Sequence, residues 1–157
     1  MRDRVFEPID EEQCLELLNQ VEYGRVAVVT VEGGPEIFPV NFAVRGRTVV
    51  FVTGSDTIAT RASLGRVAFE ADHIDPETRE GWDVVVRGDG ADISDATDSF
   101  ALLARTYAIV SWVPGQKDHW ISILNPHFTG RRLSHRQLQP GTTDQGEPWA
   151  GAGEHCA

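Results

Sequence analysis

The sequence predicts a mainly-β domain: six short antiparallel strands rolled into a small closed or partly closed barrel, with helices packed outside. Three observations carry this. Short runs rich in Val, Ile, Phe and Thr recur along the chain and are bounded by Gly, Pro and Asp. The connections are mostly tight enough for hairpins, which join neighbouring strands antiparallel. Helix-forming segments are few and short, and closing the sheet removes the exposed edges that so many strands would otherwise leave.

The first element reads as a helix from about Glu11 to Val21. Asp10 can accept from the free N–H groups of the first turn, and Gln13 stands three residues later, the spacing of a capping box. Cys14, Leu15, Leu17, Leu18 and Val21 make its apolar stripe, with Cys14 as a small core residue. Gly24 ends the segment. Arg25 to Val31 is rich in β-branched residues and reads as a buried strand. Glu32-Gly33-Gly34-Pro35 is a turn.

A second strand, Glu36 to Val44, alternates: Phe38, Val40, Phe42 and Val44 on one face, Ile37, Pro39, Asn41 and Ala43 on the other. Pro39 has no N–H to give a neighbour, so it marks an edge or a bulge. Arg45-Gly46-Arg47 is a tight connection to a third strand, Thr48 to Thr53. Ser55 can cap a short helix through about Ser63, closed by Gly65. Arg66 to Asp72 is the fourth strand, and His73 to Glu80 a polar loop. Trp82 to Ile93 is a long fifth strand, with a bend at Gly88-Asp89-Gly90. Asp95 caps a helix to about Tyr107. Trp112-Val113-Pro114-Gly115 is a loop, and His119 to Leu124 is the sixth strand.

One domain accounts for residues 1–138. From residue 139 to 157 Gly and Pro crowd in and large apolar residues thin out, so the segment cannot offset its ordering entropy and reads as a flexible tail.

Composition excludes several classes. The 24 acids against 14 bases give a net charge of −10, a field that repels nucleic acid and anionic membranes. The opening Met1-Arg2-Asp3-Arg4-Val5-Phe6-Glu7 is charged, with no apolar signal core, so the cytoplasm is the expected compartment. Cys14 and Cys156 form no CxxC pair. His119, His127 and His135 recur every eight residues, which is no ligand spacing for a metal, and Asp72-His73-Ile74-Asp75 reads as a solvated loop. There is no GxSxG elbow, no phosphate-binding GxxxxGK[ST] loop and no GxGxxG.

The informative signal is an ordered series. The first helix precedes Gly24-Arg25-Val26-Ala27, then Phe38-Pro39-Val40-Asn41-Phe42, Phe51-Val52-Thr53 and Phe69-Glu70-Ala71-Asp72. Gly81-Trp82-Asp83-Val84-Val85-Val86-Arg87-Gly88, Trp120-Ile121-Ser122-Ile123 and Thr129-Gly130-Arg131-Arg132-Leu133 complete it. Over roughly residues 10 to 134 this series resembles the pyridoxamine 5′-phosphate oxidase-like branch of the flavin-binding split barrels. The resemblance implies a six-stranded antiparallel split β-barrel. It also implies a homodimer with two FMN sites between subunits; some relatives use the deazaflavin F420 or haem. It implies an oxidoreductase acting on a small molecule. Val40, Asn41, Phe42, Phe51, Val52 and Thr53 would flank the ring and ribityl chain. Asp83 would approach the ring edge, and Trp120 would lie near the dimer seam.

Basic residues common in relatives are replaced here by Val52, Ile58 and Ser122, and Asp56 adds an acid to the same loop. A charge-assisted hydrogen bond is worth about 1.5–3 kcal/mol. Losing two costs about 3–6 kcal/mol, roughly two to four decades of affinity. Arg61, one helical turn after Ile58, is either an exposed helix residue or a cation able to reach back to the phosphate, and Ser55 and Thr57 are candidate further donors at a helix N-terminus. A split-barrel binding protein that has lost its flavin is the alternative function.

Overall fold

The structure, a computed structural model, describes residues 4–30, 32–54, 65–112 and 114–135. Seven strands and two helices follow in the order β1 (Arg4–Ile9), α1 (Glu11–Leu18), β2 (Tyr23–Val29), β3 (Pro35–Arg45), β4 (Thr48–Thr53), β5 (Arg66–Ile74), β6 (Gly81–Asp92), α2 (Ser99–Ala104) and β7 (His119–His135). Every pairing is antiparallel. The sheet order is β1-β7-β4-β3-β2-β5-β6, and β6 pairs back onto β7. Six strands, β2 to β7, therefore close into the barrel expected from the sequence, and β1 is added outside β7.

Alternation in the strands puts one set of side chains inside. Val26, Val28, Val40, Phe42, Val44, Val49, Phe51, Val67, Phe69, Val84, Val86, Ile121 and Ile123 fill the barrel. Phe42 and Phe69 meet across it with ring centroids 4.6 Å apart. α1 adds Cys14, Leu17 and Leu18 to the same core. Close packing demands small residues at two places. A Cβ on Gly24 would lie 2.5 Å from the Phe69 ring and from the Glu70 carbonyl, and one on Gly130 would lie 2.6 Å from Cys14 Sγ. A second, smaller core lies outside the barrel, where Val50 meets Ile93, Ala101 and Ala104, with Tyr107, Ile109 and Trp120 packed against it.

Several expectations are corrected. β1 was not expected, because Glu7 and Pro8 interrupt its apolar pattern; it forms by pairing Arg4–Ile9 against Gly130–His135. The sixth expected strand was to stop at Leu124. It continues to His135, because Asn125 takes a left-handed conformation (φ 50°) and bends the strand at Asn125-Pro126 without ending it. β5 runs two residues beyond Asp72, to Ile74. α1 has the expected capping box, Asp10 with Gln13, but ends at Leu18, where Asn19 caps it and its side chain donates to the Leu15 carbonyl. α2 is capped by Asp98, not Asp95, and stops at Ala104, short of Tyr107. β2 ends at Val29, not Val31, and Val29 is 62% exposed, so its outer face is not buried in this chain. Pro39 pairs with Arg25 of β2, while β3 meets β4 only from Phe42 onward, which gives the proline the free side it needs. The helix expected over 55–63 and the tail from 139 lie outside the described residues. Among the described residues no helix is long and apolar enough to cross a membrane.

Candidate functional site

The strand register assembles a row on the outer surface of the barrel. Tyr23 of β2 pairs with Asn41 of β3. Phe42 pairs with Phe51, which sets Asn41 beside Val52 of β4, and Val52 pairs with Trp120 of β7. Paired residues share a face. Tyr23, Asn41, Val52 and Trp120 therefore line up across four strands. Trp112, in the connection between α2 and β7, lies on this row: its ring centroid is 5.0 Å from that of Tyr23.

The row is held by backbone bonds. Trp112 N–H donates to Asn41 Oδ1 at 2.9 Å, and Asn41 Nδ2 donates to the Glu22 carbonyl at 3.1 Å. Both ends of this nearly buried amide are committed to protein. Trp120 N–H donates to Ser94 Oγ at 2.9 Å, and Ile93 N–H donates to the Trp120 carbonyl at 2.8 Å. Arg105 donates to the Ile93 carbonyl and anchors the same connection to α2.

Of the residues expected to touch a cofactor, the structure brings together Asn41, Val52 and Trp120. Val40, Phe42 and Phe51 point into the barrel core. A ligand on the outer surface meets them through backbone only, because successive strand residues face opposite ways. Thr53 ends β4 opposite His119 and is buried. Ser55, Thr57 and Arg61 lie outside the described residues, as do Asp56 and Ile58. Asp83 stands apart from the row. It is on β6, three strands from Asn41 in the order β3-β2-β5-β6. There it borders a cleft of about 330 Å³ with Arg87, Thr129 and Arg131.

Two groups missed by sequence reasoning border the row. The sequence reading leaves Tyr23 between the first helix and Gly24 and puts Trp112 in a loop, and nothing local signals that they meet. His119 ends the row's far side: its Nδ1 is 2.7 Å from Asp92 Oδ2, and Asp92 Oδ1 accepts from Ser94 N–H and Oγ. Burial pushes the Asp92 carboxyl up, but the bonds from Ser94 and His119 together outweigh it and hold it below the ordinary value. The Asp92 bond raises the His119 imidazole above its ordinary value, helped by the charges of Asp92, Asp118 and Asp95. The carboxylate lies between serine and histidine, so this is a clamp and not a nucleophile with its base.

A separate cleft of about 270 Å³ lies along β3, bounded by Glu22, Ala43, Arg45 and Tyr107. Arg45 lies 5.7 Å over the Tyr107 ring. Ser122 is fully buried between its partners Val50 and Ala91, and among the described residues its Oγ has no hydrogen-bond partner. A group at that position is sealed from ligand. Within the row Asn41 and Val52 are buried and Trp120 is half-buried, so Tyr23 and Trp112 are what it presents outward. Val52 and Ser122 offer no cation to a phosphate. Among the described residues no three His, Cys, Asp or Glu side chains converge as metal ligands.

Comparison with known proteins agrees with the barrel fold. Residues 10–132 match the family model for pyridoxamine 5′-phosphate oxidase. An uncharacterized protein of Mycobacterium tuberculosis is 35% identical over 132 residues, 80% of this chain and 84% of that protein. An FAD binding protein from Mycobacterium smegmatis superposes with a TM-score of 0.68 at 36% identity, covering 81% of this chain and 98% of its own. A Corynebacterium glutamicum protein, provisionally named a pyridoxamine 5′-phosphate oxidase, superposes at 0.66 with 27% identity, covering 87% of this chain and all of its own.

Proposed function

Because this chain belongs to the pyridoxamine 5′-phosphate oxidase family, we propose that it is a flavin-dependent oxidoreductase acting on a small molecule. The observation that carries the reading is the outer row of Val52, Trp120 and Trp112 beside the β3 and β4 backbones. It sets two indoles, each held by a backbone hydrogen bond, beside the strand backbones, aromatic surface on which a flavin ring can stack. The FAD bound by the 36%-identical Mycobacterium smegmatis protein supports the same class of cofactor. When bound, the flavin supplies electron transfer. The chain's residues hold the ring against the wall and keep water from the covered side.

The working unit is a homodimer in the cytoplasm. Asp83 and Asn41 lie on different sides of one barrel, so a cofactor touching both is shared between two subunits. Ile37 at 67% and Val29 at 62% exposure give the outer face of β2 and β3 apolar surface for a second copy. The dearth of bases makes pyridoxamine 5′-phosphate, with its own phosphate, a poor substrate for this chain.

Equilibrium titration of the purified dimer with FMN, FAD, F420 and haem tests the reading. Flavin absorbance retained through gel filtration, with micromolar or tighter affinity, is the expected outcome. A chain that takes none of the four is a split-barrel binding protein without a flavin, and sedimentation as a monomer removes the shared site.

A further inference from the structure

We propose that the cleft between α1, β3 and the connection after α2 binds a small zwitterion, a carboxylate and an ammonium group joined by a short apolar chain. It stands apart from the aromatic row, and the proposal does not rest on the flavin reading.

The cleft measures about 270 Å³, just below the range of about 300–1,000 Å³ that takes drug-sized ligands, so its size suits a small metabolite. Its apolar lining comes from Leu18 and Val21 at the end of α1 and just after it, Ala43 of β3, and Ala108 of the connection.

One end is cationic. Arg45 closes β3, and its guanidinium lies 5.7 Å over the Tyr107 ring. Stacking occupies the face of the guanidinium and leaves the N–H groups on its edge to grip a carboxylate with two bonds. Three arginines line clefts in this barrel. Arg87 donates to Thr129 and Arg131 to Asp83, whereas Arg45 has no hydrogen bond or ion pair among the described residues. In a chain with 24 acids against 14 bases, it is open to a carboxylate from outside.

The other end is anionic. Leu18 and Asn19 bring the C-terminus of α1 to the cleft. That is the negative end of the helix dipole, and the last turn of α1 has no basic residue to offset it. Asn19 donates through Nδ2 to the Leu15 carbonyl at 2.8 Å, which leaves its Oδ1 as an acceptor. Glu22 adds a carboxylate that makes no ion pair among the described residues. Phe42 N–H donates to the Glu22 carbonyl at 3.1 Å, so Glu22 stands level with Phe42, three residues along β3 from Arg45. At about 3.4 Å per strand residue the two are roughly 10 Å apart along the strand. One charged group cannot meet both ends, and the charges of an α-amino acid sit too close together. An ω-amino acid carries its charges at opposite ends of an apolar chain and meets both.

The test is titration of the full-length protein with γ-aminobutyrate, δ-aminovalerate and ε-aminocaproate, with caproate and hexylamine as controls of one charge each. Amide chemical shifts locate the site and calorimetry gives the affinity. At least one amino acid is expected to shift the amides of Asn19, Ala43 and Ala108 and to bind about tenfold or more tightly than either control. Arg45→Gln and Glu22→Gln are each expected to weaken it about tenfold, the scale of one charge-assisted hydrogen bond, and Arg45→Lys by less than Arg45→Gln. Melting temperature separates loss of the site from loss of the fold, and Arg45→Lys, which keeps the charge, decides the case if Arg45→Gln unfolds. A control that binds as tightly as the amino acids overturns the site. So do shifts confined to other surfaces, an affinity unchanged in either glutamine variant, or no binding of any of the three.

Discussion

Arg131 grips the Asp83 carboxylate with two nitrogens: Nε lies 3.1 and 3.2 Å from its two oxygens, and Nη2 donates at 3.1 Å. The same guanidinium lies 4.7 Å over the Phe6 ring. One side chain of β7 thus ties β6 to β1, the strand outside the closed barrel. Arg131→Ala is expected to cost about 1 kcal/mol, since Arg131 is 57% exposed and solvent screens the pair. The amides of β1 are expected to exchange faster while those of β4 stay protected. Unchanged exchange in β1 would show that the backbone ladder alone holds it. Arg131→Lys is expected to fall between, because an ammonium cannot reproduce the two-pronged contact.

The His119–Asp92 clamp makes stability depend on pH at both ends. The folded state raises the His119 imidazole above its ordinary value, chiefly through the Asp92 bond. Its contribution is therefore complete below the ordinary histidine value and is lost as pH rises through the raised one. Asp92 is held below the ordinary carboxyl value, burial notwithstanding, by Ser94 and His119. Its contribution is present above the ordinary value and is lost as pH falls through the lowered one. Melting temperature followed across mildly acidic to mildly alkaline pH should decline on the alkaline side. His119→Gln should flatten that decline, and a wild-type curve matching the variant would exclude the clamp.

Gly130 marks where α1 meets the barrel. A methyl there lands 2.6 Å from Cys14 Sγ and 2.7 Å from Ile9. Gly130→Ala should destabilise by about 1–3 kcal/mol, the usual cost of overpacking. Pairing it with Cys14→Ala should recover part of the loss. Additive losses in the double variant would mean that the two side chains do not compete for the same space.

Phosphate binding should respond to charge at the positions where the family resemblance implies bases. Arg61→Ala is expected to weaken flavin binding by about tenfold or more, the scale of one charge-assisted hydrogen bond. Val52→Arg with Ile58→Lys should strengthen it. Calorimetric titration reads both. An unchanged tight affinity in Arg61→Ala removes that residue as the substitute cation. A double variant that still takes no flavin means a site lost in shape as well as in charge.

Residues after Gln139 are expected to be dispensable for folding, since their Gly and Pro content leaves no apolar stripe to dock. Truncation there should leave the melting temperature within about a degree, a shift corresponding to a few tenths of a kcal/mol. A large fall would place part of the core in the tail.

Local chemistry made much of this molecule legible in the sequence. The capping box of Asp10 and Gln13, the turn at Gly33-Gly34, the tight connection at Gly46 and the two-residue alternation of Phe38 to Val44 depend on neighbours a few positions apart. What tertiary structure alone decided are relations over long separations. The left-handed Asn125 carries β7 past an apparent stop, so that one strand pairs with β4, β6 and β1 in turn. Closure of β6 on β7 settles which face of each strand is inside, sending Val40, Phe42 and Phe51 to the core and Asn41, Val52 and Trp120 outward. Asp83 and Asn41, assigned together by resemblance, fall three strands apart. Trp112 reaches Asn41 across 71 residues of chain, and Tyr23 with it. Propensity and periodicity act within a turn or a strand, whereas such contacts arise when a whole sheet rolls up to bury one face, and no short window of sequence contains that event.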